Sequence, residues 1–113
     1  MYSVEENGGY SVVHLTGEVD LNCSPEARKV ILECLRRNTP LLIDLSAVTY
    51  IDSSGIASLV EGYQVSRTLK LDFGLVGVSE RAMSVLRLAR LDQVFPIFAS
   101  IEERLKPDPP QDV

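Results

Sequence analysis

The chain reads as an α/β domain with a mixed, mostly parallel sheet of about five strands and about four helices. Three observations predict this. Two β-rich runs open the chain on either side of Asn7-Gly8-Gly9, the signal of a tight hairpin. Beyond it, strand-length apolar runs alternate with segments whose apolar residues recur at helical spacing, in the order β, β, then α-β-α-β-α-β-α. The most apolar run, Leu41-Leu42-Ile43-Asp44-Leu45, is short and nearly unbroken, as in a central strand covered on both faces. With 113 residues, 45% of them hydrophobic and 24% charged, there is material for one core and no sign of a second domain or an internal repeat.

The first strand covers 2–6. The second, 10–16, is rich in β-formers and contains His14, which has no second histidine nearby and reads as an ordinary strand residue. Residues 17–22 read as a loop carrying Glu18 and Asp20. Ser24-Pro25-Glu26 has the form of a helix entrance, with Ser24 as the cap and proline at the first position. Ala27, Val30, Ile31, Cys34 and Leu35 follow on one face, and Asn38-Thr39-Pro40 ends the helix. The strand 41–45 and a short connection, 46–50, lead to a second helix from 53 to about 68. Its apolar stripe is Ile56, Leu59, Val60 and Tyr63, while Ser54, Ala57, Ser58, Glu61 and Gly62 form a face low in bulk, suited to close approach of another surface.

Residues 71–78 read as the next strand, in which Gly74 and Gly77 mark close backbone approach. Ser79 caps a third helix with Ala82, Val85, Leu86 and Ala89 on one side. The run 94–98 is a last strand, placed at an edge by Pro96, and 100–105 adds a helical turn or two. The proline-rich segment 106–113 reads as a flexible tail.

The formal net charge of −5, with Lys and Arg scattered, disfavours nucleic acid and anionic membrane as partners. No apolar run approaches the roughly 20 residues of a membrane span, and the first residues lack the regions of a signal peptide, so the expected location is the cytoplasm. Two cysteines are too few for a disulfide scaffold, and one histidine without Cys-x-x-Cys argues against zinc. Cys34 reads as a reduced residue in a helix core. There is no Gly-x-Ser-x-Gly elbow, no phosphate-binding loop and no Gly-x-Gly-x-x-Gly, so neither an enzyme nor a cofactor is expected. Asp20, Asp52 and Ser53 would suit magnesium or a nucleotide in principle, but no phosphate loop or general base accompanies them.

The stretch around which the chain is organised is Tyr50-Ile51-Asp52-Ser53-Ser54-Gly55-Ile56. It places an acid and two hydroxyls where a buried strand hands over to a helix. A helix start exposes unpaired N–H groups and partial positive charge, and so suits a phosphate. Taken locally, Asp52 or Ser53 capping the helix, with Gly55 permitting close packing, is the better account, because such caps are common.

The wider pattern resembles the STAS domain of bacterial anti-sigma factor antagonists, over about residues 2–105. The matching segments are Leu15-Thr16-Gly17-Glu18-Val19-Asp20, Leu42-Ile43-Asp44-Leu45-Ser46, Ile51-Asp52-Ser53-Ser54-Gly55-Ile56, Val76-Gly77-Val78-Ser79 and Leu88-Ala89-Arg90-Leu91-Asp92-Gln93-Val94-Phe95. The resemblance implies a single STAS-type domain over 1–105, with the helices packed mainly on one face of the sheet. It implies a partner that is both anti-sigma factor and serine kinase of the histidine-kinase-like type, whose capture frees a sigma factor. It implies phosphorylation of the serine after the motif's aspartate, here Ser53 (Ser54 being the alternative hydroxyl), and resetting by a serine phosphatase. Asp20, Asp52, Ser54, Gly55, Ala57, Ser58 and Glu61 are then the expected partner-binding residues. STAS domains also serve as subunits of lipid-transport ABC transporters or as signalling scaffolds, which is the alternative reading. The family's frequent Gly-Gly turn after the second helix is absent; Thr68-Leu69-Lys70-Leu71-Asp72 stands there.

Overall fold

A computed structural model describes residues 2–105. The elements are β1 (Tyr2–Asn7), β2 (Tyr10–Val19), α1 (Ser24–Arg36), β3 (Leu41–Ile51), α2 (Ser53–Leu69), β4 (Phe73–Val76), α3 (Glu80–Leu88), a 3-10 turn at Leu91–Gln93, β5 (Ile97–Phe98) and α4 (Ile101–Leu105). They form one five-stranded sheet in the order β1-β2-β3-β4-β5. Only β1 runs antiparallel, to β2; the other pairs are parallel. This is the expected mixed α/β architecture, each parallel pair being joined through helical structure. The expected tail, 106–113, lies outside the described residues.

The burial pattern explains the near-continuous apolar run of the central strand. Successive strand residues face opposite sides of a sheet. Leu41, Ile43 and Leu45 pack in the main core with Ile31 and Leu35 of α1, Leu59 of α2 and Leu86 of α3, whereas Leu42 joins Val12 and Val76 in a smaller cluster on the other face. Tyr10, Phe98 and Ile101 pack against that second cluster. Three helices therefore cover one face, and the short α4 contributes to the other. Cys34 is buried in α1 and both cysteines are free thiols; burial, the largest influence, pushes the Cys34 thiol above its usual value.

Several boundaries differ from those expected, each for a pairing reason. In the hairpin Asn7 pairs with Tyr10, so Gly8 and Gly9 are the turn residues, at φ 60° and 85°. β2 continues to Val19 and β3 to Ile51, through segments whose polar composition reads as loop. Beyond the reach of β4 they pair with each other, from Thr16↔Ala47 to Val19↔Ile51, with register shifts between His14 and Thr16 and between Gly17 and Glu18. The ladder satisfies the backbone of this two-stranded arm while most of its side chains stay in solvent.

At α1, Ser24 is the first helical residue and Cys23 the cap position, without a side-chain cap. A turn closed by Ser24 N–H on the Asp20 carbonyl, 2.7 Å, supplies the entrance instead. β4 shrinks to 73–76 because Gly77 turns at φ 59°, and β5 is limited to 97–98 by the 3-10 turn before it. β5 still lies at the edge, as Pro96 requires. Gly74 leaves room for Phe98 and Leu42. α2 ends without glycine: Lys70 takes the left-handed conformation at φ 58°, and the N–H groups of Lys70 and Leu71 close on the Arg67 and Ser66 carbonyls.

Candidate functional site: the corner between β3 and α2

The arm of β2 and β3 ends where α2 begins. Asp52 is the N-cap, with extended backbone, and its N–H donates to the Val19 carbonyl at 3.3 Å. Its carboxylate accepts from the N–H groups of Ser54 (2.9 Å) and Gly55 (3.2 Å) and from the Ser54 hydroxyl. The Ser54 hydroxyl, foremost, holds the Asp52 carboxyl below the usual aspartate range; partial burial opposes it, and the N–H groups of Gly55, Ser54 and Leu21 reinforce it. Through Leu21 the cap also ties the β2–α1 loop to the helix start.

Those bonds separate the two serines. Ser54 is half-buried and its hydroxyl is spent on Asp52. Ser53, the first residue of α2, is exposed, and among the described residues no hydrogen bond engages its hydroxyl. Gly55 is buried against the arm: a Cβ there would lie 2.7 Å from the Val19 carbonyl oxygen and 2.7 Å from Ile51. The corner is thus a fixed platform with one free hydroxyl on it.

Asp20 lies in the turn that follows Val19. Its carboxylate accepts from Asn22 N–H at 3.0 Å and its carbonyl from Cys23 and Ser24 N–H. The fold therefore brings Asp20 and Asp52, 32 positions apart in the chain, to the same end of the arm. Two large apolar side chains that composition did not single out are exposed in the segments flanking this corner, Leu21 at 73% and Tyr50 at 49%. Both occupy segments read as loop, where exposure is ordinary, so no local signal marks them.

The low-bulk face of α2 is only partly exposed. Ser58 and Gly62 are buried; the Ser58 hydroxyl donates to the Ser54 and Ser24 carbonyls, and a Cβ on Gly62 would meet Ile31 at 2.7 Å. The small residues let α1 approach. What stays open is a groove of about 380 Å³ between the helices, lined by Ser54, Ala57, Ser58 and Glu61 of α2 and Ser24, Pro25 and Arg28 of α1. Arg28 Nε lies 2.7 Å from a Glu61 carboxylate oxygen. This contribution of α1 was invisible in the sequence, because the pair is separated by a whole strand and two turns. Among the described residues no three His, Cys, Asp or Glu side chains gather to hold a metal ion, and no helix is long and apolar enough to cross a membrane.

The chain and its fold resemble known proteins. The family model described as "STAS domain" matches residues 1–104. The anti-sigma-F factor antagonist RsfB of Mycobacterium tuberculosis is 30% identical over 105 residues, covering 91% of this chain and 84% of that protein. The anti-sigma-B factor antagonist of Bacillus subtilis is 25% identical over 99 residues, 88% of this chain and 91% of the other. The crystal structure of an anti-sigma factor antagonist from Mycobacterium paratuberculosis superposes with a TM-score of 0.81 at 31% identity, covering 93% of this chain and 90% of that one.

Proposed function

The chain belongs to the STAS domain family, and we propose that it is an anti-sigma factor antagonist, a regulator rather than an enzyme, switched by phosphorylation of Ser53. The names of the similar proteins support the first part. The free, exposed hydroxyl of Ser53, beside a Ser54 hydroxyl already bound to Asp52, carries the second.

In this reading the unmodified protein captures an anti-sigma factor bearing a histidine-kinase-like serine kinase domain. Docking uses the α2 start, with Asp20 and Asp52, and the groove edge formed by Ser54, Ala57 and Glu61. Capture releases the sigma factor. The kinase moves the γ-phosphoryl of ATP onto Ser53 Oγ; the hydroxyl proton is lost and ADP leaves. A phosphatase later restores the hydroxyl by hydrolysis. A phosphoserine adds about −1.5 to −2 charges at neutral pH. The isolated fold accommodates it, because a helix N-terminus favours an anion. Inside an interface, beside the Asp52 carboxylate, it adds like-charge repulsion and a desolvation cost. A penalty of about 3 kcal/mol already weakens binding roughly a hundredfold, so no refolding is needed.

The test is binding and phosphorylation of variants with the partner kinase recovered from the native cells. Ser53→Ala binds like the wild type and resists phosphorylation, and Ser53→Asp loses affinity by about a hundredfold. Mass spectrometry of the phosphorylated protein locates the group on Ser53. Equal affinity of Ser53→Asp and wild type, or a phosphate on Ser54, overturns the assignment. Recovery of a transporter or scaffold in place of a kinase supports the alternative use of the same fold.

A further inference from the structure

Far from this corner, His14 differs from the ordinary strand histidine its sequence context suggests. It lies on the sheet face away from the main core, in register with Ser3 of edge strand β1 and Asp44 of central strand β3. Its Nδ1 lies 2.6 Å from an Asp44 carboxylate oxygen and its Nε2 2.8 Å from a Glu5 carboxylate oxygen. A neutral imidazole has one N–H and one acceptor nitrogen; an ionised carboxylate only accepts. Both bonds are satisfied together only when both ring nitrogens carry protons.

We propose that Glu5, His14 and Asp44 form a proton-operated clasp that fastens edge strand β1 to the centre of the sheet. With His14 protonated, the imidazolium bridges two carboxylates on opposite sides of β2. When it loses its proton, one nitrogen turns a lone pair toward a carboxylate, one bond is lost, and two negative groups face a neutral ring. β1 depends heavily on such a link: all six of its residues are exposed, and it pairs with β2 alone.

The surrounding groups favour the charged form. Partial burial alone would depress the His14 value, but the hydrogen bonds to Asp44 and Glu5 and the two negative charges outweigh it, so it is raised above 6.5. For Asp44 burial acts upward, but the Ser46 N–H, the Ser46 hydroxyl and His14 outweigh it and hold the carboxyl below 3.8. β1 contributes Glu5 and β3 contributes Asp44. From α4, Glu102 lines the crevice that also holds Asp44, while Arg104 turns to Asp72. No described cation competes with the imidazolium for these acids.

The sign follows from a raised value. The clasp contributes its full stability below the unfolded histidine value, near 6.5, and loses it as pH rises through the higher folded value. The test is a histidine NMR titration of the whole chain, with amide exchange of Ser3–Glu6 corrected for the intrinsic rate. His14 is expected to titrate above 6.5 with both ring nitrogens protonated below it, and β1 protection to fall several-fold as His14 deprotonates. His14→Gln removes that pH dependence; Asp44→Asn and Glu5→Gln, which keep the shape and delete one charge each, lower the His14 value. An ordinary or depressed His14 value, or the same pH-dependent loss of β1 protection in His14→Gln, overturns the clasp.

Discussion

The sheet delivers the chain into α2 and α3 through two similar corners that treat their serines in opposite ways. At α3 the serine is the cap: Ser79 Oγ accepts from Ala82 N–H at 3.2 Å and donates to the Val48 carbonyl at 2.8 Å. At α2 an aspartate takes the cap, and the serine one position later has nothing to hold. The third helical residue is Ala82 in one corner and Gly55 in the other. Ala82 has space for its methyl although fully buried, whereas Gly55 has none because the Val19 carbonyl and Ile51 crowd it. A serine at a helix start is thus structural or available according to which neighbour satisfies the first N–H groups. The available one sits on the corner whose third helical residue has no room for a side chain.

Substitutions can widen or erase this difference. The largest effect on folding is expected at Gly55→Ala. A Cβ that meets backbone oxygen forces the arm and α2 apart and costs about 1–3 kcal/mol, read as a lower midpoint of denaturant unfolding. Gly55→Ala unfolding like the wild type would show that the arm yields easily and that the platform is not rigid. Next is Ser79→Ala, which removes a cap and leaves the Val48 carbonyl without its donor, at about 1 kcal/mol. Ser53→Ala, by contrast, stays within about 0.5 kcal/mol; equal losses at the two serines would abolish the distinction between them.

The smallest effect is a pH dependence confined to the α2 corner. The Asp52 carboxyl is held below its unfolded value, so its contribution is present above the usual aspartate range and disappears as pH falls through the lower folded value. Wild type should exceed Asp52→Asn in stability at neutral pH and lose that margin as pH falls through and below the usual aspartate range. A margin unchanged by acid would mean that the cap acts by shape alone. The Ser79 corner, with a hydroxyl cap, has no such titration.

Much of this corner was legible beforehand. An acid followed by two hydroxyls and glycine, between an apolar strand and a helical stripe, located the helix start and its candidate serines. The arm was not legible. Ser46–Tyr50 and Gly17–Val19 are polar or turn-like, and only their pairing with each other makes them strands. The low-bulk face of α2 suits close approach of another surface, and at Ser58 and Gly62 that surface is α1. Small residues permit close approach without saying whether the approaching surface belongs to the same chain.

By itself, then, the sequence determined what local periodicity and turn chemistry can encode: the α/β order, the hairpin, the Ser79 cap, the edge position of the last strand and the motif at Asp52. The tertiary structure decided what depends on partners distant in the chain. It left Ser53 free and engaged Ser54, and it set Asp20 and Asp52 at the same end of the arm. It also set His14 between Glu5 and Asp44, which lie on strands either side of its own. Hydrogen-bond donors and charges act over a few ångströms of space, and only the folded sheet brings residues 5, 14 and 44 within that range.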